Sequence, residues 1–73
     1  MITAEIIDNV TYYTTVRGGV EYTAYQNAMG GWYVLTKRLA LGRPNIGGCK
    51  NFDSVNAVSS SVKAFFGLNL LVA

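Results

Sequence analysis

Polar and apolar residues alternate through the first forty positions of the chain. Val10, Tyr12, Thr14 and Val16 interleave with Thr11, Tyr13 and Thr15, and Val20, Tyr22 and Ala24 interleave with Glu21, Thr23 and Tyr25. A period of two in β-branched and aromatic residues is the pattern of strands whose two faces meet different surroundings. Arg17-Gly18-Gly19 between these runs predicts a tight hairpin. Asn27 to Gly31 predicts a second turn, and Trp32 to Leu39 a third strand. In that strand Tyr33, Leu35, Lys37 and Leu39 share one face, and Trp32, Val34, Thr36 and Arg38 the other. Ile2 to Ile7 reads as an extension of the first strand, bent at Asp8-Asn9. Residues 1–40 therefore form an antiparallel meander.

The period changes after residue 52. Val55, Val58, Val62, Phe65 and Phe66 fall on one stripe at helical spacing, which predicts a helix over 53–66. Asp53 or Ser54 supplies the N-cap, and Gly67 the residue that ends the helix. Between sheet and helix, residues 41–51 read as a glycine-rich basic loop: Gly42, Pro44, Gly47 and Gly48 interrupt it, and Arg43 and Lys50 charge it. It is short enough to lie across the sheet or to feed a brief fourth strand. The tail, 68–73, is apolar and either adds an edge strand or tucks under the helix. The expected fold is α+β, one domain over 1–73: a three- or four-stranded antiparallel meander packed by one C-terminal helix.

Composition adds a stability constraint. A chain of 73 residues buries only about 60–65% of its unfolded surface. Cys49 is the single cysteine, so no intramolecular disulfide is available, and without histidine one thiol and four scattered carboxylates build no structural zinc site. Packing and self-association remain, and a homodimer is expected. Apolar residues make up 51% and charged residues 14%, against a usual charged share of about 25%. The N-terminus has neither the basic nor the apolar region of a signal peptide, and no apolar stretch approaches a span of about 20 residues. The expected location is the cytoplasm of a host cell, with no membrane partner. On that expectation the Asn9-Val10-Thr11 sequon stays unglycosylated.

Charge is uneven along the chain. Residues 1–36 carry Arg17 against Glu5, Asp8 and Glu21, a balance of −2. Residues 37–73 carry Lys37, Arg38, Arg43, Lys50 and Lys63 against Asp53, a balance of +4. Such asymmetry predicts a bipolar surface.

Catalysis fails on inventory. Histidine, the commonest general base, is absent, and no spacing pairs two of the carboxylates. Cys49 has Lys50 beside it to favour the thiolate but no identifiable base. Gly42 to Asn51 has the glycines of a phosphate loop, yet Gly48 and Cys49 stand where the lysine and hydroxyl residue belong. No enzyme, cofactor or metal is expected. The strand aromatics offer three readings: cross-strand pairs that stabilise the sheet, protein-interface anchors, or a stacking platform for single-stranded nucleic acid. The candidate partner-binding residues are Tyr12, Tyr22, Trp32, Lys37, Arg38, Arg43 and Lys50.

The run Phe52-Asp53-Ser54-Val55, followed by Val58, Val62 and Lys63-Ala64-Phe65-Phe66-Gly67-Leu68, resembles the C-terminal ends of small proteins encoded by bacteriophages. In size, single-domain character and lack of chemistry the chain is similar to phage accessory proteins that inhibit host defences, anti-CRISPR proteins among them. That resemblance covers the last third of the chain. It implies stoichiometric binding to, and inhibition of, a host protein complex, and it assigns no individual residue. The alternative is a small nucleic-acid-binding module that uses Lys37, Arg38, Arg43 and Lys50.

Overall fold

The computed structural model describes residues 1–38 and 45–72. Five antiparallel strands form one sheet in sequence order: β1 (Thr3–Ile7), β2 (Val10–Arg17), β3 (Val20–Gln26), β4 (Trp32–Arg38) and β5 (Asn45–Phe52). Helix α1 (Val55–Ser61), a 3-10 turn (Lys63–Phe65) and helix α2 (Leu68–Val72) follow. The class is the expected α+β meander with C-terminal helical packing; the strand count is higher.

Two expectations about strands are corrected. Ile2 to Ile7 does not extend the first strand. It doubles back as β1, because Asp8 and Asn9 both take positive φ, 51° and 66°. Those angles close a two-residue hairpin in which Ile7 faces Val10. Such turns need left-handed backbone at both central positions, which Asp and Asn tolerate better than other residues with side chains. The second correction concerns the basic loop: Asn45 to Asn51 is strand, and residues 41–44 lie outside the described residues. β5 survives its glycines because β4 supplies a full partner, from Trp32↔Phe52 to Arg38↔Asn45. The register slips once between Thr36 and Lys37, where Thr36 faces Gly48 and Lys37 faces Ile46. This bulge absorbs the extra residue without ending the ladder.

The β3–β4 turn is held by one side chain. Asn27 Oδ1 accepts from the amides of Met29 and Gly31, at 2.9 and 3.0 Å. The Asn27 amide in turn donates to the Gly31 carbonyl at 2.8 Å. An Asn that closes its own loop in this way fixes the register of the strands on either side.

The predicted single helix over 53–66 is also corrected. Ser54 is the N-cap, its hydroxyl accepting from the Ala57 amide at 3.2 Å. The helix then stops at Val62, which is extended (φ −109°, ψ 109°). Ser59-Ser60-Ser61-Val62 is a run of weak helix formers: serine competes for backbone hydrogen bonds and valine loses side-chain freedom. Past the break the chain re-aims through the 3-10 turn and Gly67 (φ 88°). α2 therefore packs back on α1, with the Asn69 amide donating to Ser59 Oγ at 2.9 Å. The tail is this helix and adds no edge strand; Ala73 lies outside the described residues.

The break explains the core. Val58, Phe65 and Leu68 are fully buried, against Ala24, Trp32 and Val34 from the sheet. Tyr13, Tyr22, Phe52, Val55 and Val62 pack around them. Phe66, expected on the buried stripe, is 86% exposed instead, because the turn at Val62 rotates it outward. Truncating Phe65 removes a fully buried ring, a change that costs about 3–5 kcal/mol in comparable cores.

Candidate functional site

The helices cover one face of the sheet only. Alternation along the strands assigns each side chain to a face, and the register aligns them in rows. Tyr13, Thr15, Tyr22, Ala24, Trp32, Val34 and Phe52 point to the helical side. The opposite face carries a row that runs across all five strands. Glu5 faces Tyr12, the rings of Tyr12 and Tyr25 lie 5.1 Å apart, Tyr25 faces Tyr33 with rings 5.4 Å apart, and Tyr33 faces Asn51. A second row, Thr3, Thr14, Thr23, Leu35 and Cys49, runs beside it. Glu21 and Lys37 then face one another across β3 and β4. No described element packs on this face.

The three tyrosines are half-buried by one another. Interplanar angles of 45° and 52° tilt each ring against its neighbour, an arrangement that aromatic pairs favour over flat sandwiches. Burial pushes the Tyr25 phenol above its ordinary value, with the Cys49 thiol and the Tyr12 and Tyr33 hydroxyls adding to the shift. The hydroxyls give this apolar strip a polar rim. It is a rigid amphipathic surface with two rotatable bonds per ring before the hydroxyl, the kind that loses little entropy when a partner covers it.

The structure divides the sequence-derived candidates. Tyr12 is on the open face. Tyr22 and Trp32 are corrected: Trp32 is 3% exposed in the core, and Tyr22 packs edge-on to Phe65 with centroids 6.3 Å apart. Both are therefore packing residues. Lys37 is on the open face, whereas Lys50 faces the helical side, opposite Val34. Arg38, next to Lys37 in the strand, points to the helical side with Val20 opposite it, and Arg43 lies outside the described residues. The three described cations of this set are thus split between two faces. Tyr25 and Tyr33 are the residues that sequence reasoning left out of the site. Their strand parity was visible, but their alignment with Tyr12 depends on the lengths of two turns.

Among the described residues, no group of three or more His, Cys, Asp or Glu side chains is placed to hold a metal ion. Cys49 is a free, exposed thiol. Among the described residues, no helix is long and apolar enough to cross a membrane. Comparisons with protein-family models, with curated proteins and with solved structures return no match for this chain.

Proposed function

We propose that this chain is a non-catalytic binding module that engages a protein partner through the open face of its sheet. The observation that carries the proposal is the Tyr12–Tyr25–Tyr33 row. Three aromatic rings aligned across the central strands, with no described element over them, supply a residue type enriched at protein-interface hot spots. The phage-type resemblance of residues 52–68 supplies the finer reading, in which the partner is a host protein complex and binding blocks it. A second copy of the chain is part of the proposed assembly, since apolar side chains also remain exposed on the helical side.

The nucleic-acid alternative draws on the same tyrosines as a stacking platform. Of its described cations, however, Lys37 lies on the open face and Arg38 and Lys50 on the other, and the tyrosine rings are engaged with each other at tilted angles. The discriminating experiment compares the parent chain with a Tyr12→Ser/Tyr25→Ser/Tyr33→Ser variant whose melting transition is checked first. Both are used as baits in bacterial lysate and titrated with labelled single-stranded DNA and RNA. The expected result is a host protein retained at fixed stoichiometry by the parent and lost from the variant. Tight nucleic-acid binding by the parent, with a salt slope of roughly −0.7 per phosphate contact, would overturn the proposal.

A further inference from the structure

The other face of the sheet holds a cleft where the helices stop short of the Gly18 end. Its floor is Val20, Tyr22 and Val34, and Val62 and Ala64 form the wall opposite. Its volume is about 720 Å³, within the range of small-molecule sites, which are mostly apolar with a few placed polar groups. Three cations from distant parts of the chain line it: Arg17 from the end of β2, Lys50 from β5 and Lys63 from the 3-10 turn.

No carboxylate lines this cleft among the described residues. The topology explains why. Glu5 and Glu21 share the open face with the tyrosine row, opposite the cleft. Asp8 lies in the β1–β2 turn and Asp53 follows β5, both at the far end of the sheet. Half of the six Lys and Arg residues of the chain thus meet around an apolar floor with no counter-charge. Gly48, at the bulge, lines the same space and projects no side chain into it.

We propose that this cleft binds an organic anion, with its apolar body between Val20 and Tyr22 on one side and Val62 and Ala64 on the other and its carboxylate, sulfonate or phosphate against Arg17, Lys50 and Lys63. Three cations facing one space repel each other, and an anion among them relieves that repulsion while gaining charge-assisted hydrogen bonds. Apolar burial and charge then act on the two ends of one ligand. The site is separate from the tyrosine row and does not depend on what that row binds.

The test uses 8-anilinonaphthalene-1-sulfonate and its uncharged counterpart N-phenyl-1-naphthylamine, each titrated by fluorescence and by amide chemical-shift mapping. The sulfonate is expected to bind a single site, with shifts centred on Val20, Val34, Gly48 and Lys63, and to weaken as salt is raised. The uncharged compound should bind at least about tenfold more weakly, as should the sulfonate to Lys50→Gln/Lys63→Gln, the loss of a charge-assisted contact being of that size. Arg17→Gln provides a second variant, and the amide spectrum of each free variant establishes that it is folded. Equal affinity for the charged and uncharged compounds would overturn the proposal. So would shifts centred on Tyr12, Tyr25 and Tyr33, or undiminished binding by folded variants.

Discussion

Tyr25 sits at the middle of the open-face row, between Tyr12 and Tyr33, and the environment of its phenol leaves a sign on stability. Its folded pKa is raised above 10.0, first by burial and then by Cys49, Tyr12 and Tyr33. A raised value means that the folded state holds its proton after the unfolded state has lost it. The contribution is therefore fully present below the unfolded pKa and is lost as pH rises through the folded one. Chemical denaturation at a series of alkaline pH values should show stability falling from about pH 10 upward, with a smaller fall in Tyr25→Phe. An identical alkaline profile in that variant would show that Tyr25 does not carry the effect. At this scale the sequence was informative about parity and silent about depth. Tyr22 and Tyr12 have the same residue type and the same kind of strand, yet only the helices decide that Tyr22 meets Phe65 and Tyr12 meets solvent.

Elements were legible where one local signal was enough and obscure where two competed. β2, β3 and β4 each carry a clean alternation, and the Ser54 cap and the apolar stripe announced α1. The break at Val62 was hidden because the stripe continues through Phe65 and Phe66, and periodicity outweighed three serines and a valine. β5 was hidden because its glycines look like loop, whereas an adjacent strand pays for their entropy with backbone hydrogen bonds. Gly67 was singled out as the end of one long helix; it instead joins the 3-10 turn to α2 with φ at 88°. Its role still makes a prediction. A Cβ added there meets nothing within 4 Å, so the cost of Gly67→Val is backbone strain alone, on the order of 1–2 kcal/mol. Ser60→Val, on the exposed side of α1, should stay within about 0.5 kcal/mol of the parent. For a domain of this size the first variant should melt about 4–16 °C lower and the second close to the parent. Equal melting temperatures would mean that α2 docks without needing the left-handed residue.

At the scale of the whole molecule, helices cover one face of the sheet, and apolar side chains remain exposed in several places, two of which bear on association. One is the tyrosine row. The other lies on the outside of the helical layer, where Phe66 and Leu70 are 86% and 77% exposed and Leu71 is 58% exposed. The structure divides the apolar tail: Leu68 enters the core, while Leu70 and Leu71 do not. Phe66 joins them only because of the turn at Val62, which no periodicity foretold. Phe66 and Leu70 border one shallow depression with Asn56, Ser59, Ser60 and Asn69, an apolar centre with a polar rim, as protein interfaces have. With few charges on the chain to oppose contact, we expect two copies to associate through this surface. Sedimentation at tens of micromolar should show a species heavier than the 7.9 kDa monomer, and Phe66→Ser/Leu70→Ser should return it to monomer without lowering the melting temperature. Both side chains are exposed, so their replacement removes little from the monomer's own core. A parent chain that sediments as a clean monomer would sink the idea. An oligomer unchanged by Phe66→Ser/Leu70→Ser but dispersed by substitutions in the tyrosine row would instead move the self-contact to the open face, and that face would then be unavailable to another protein in the assembled state.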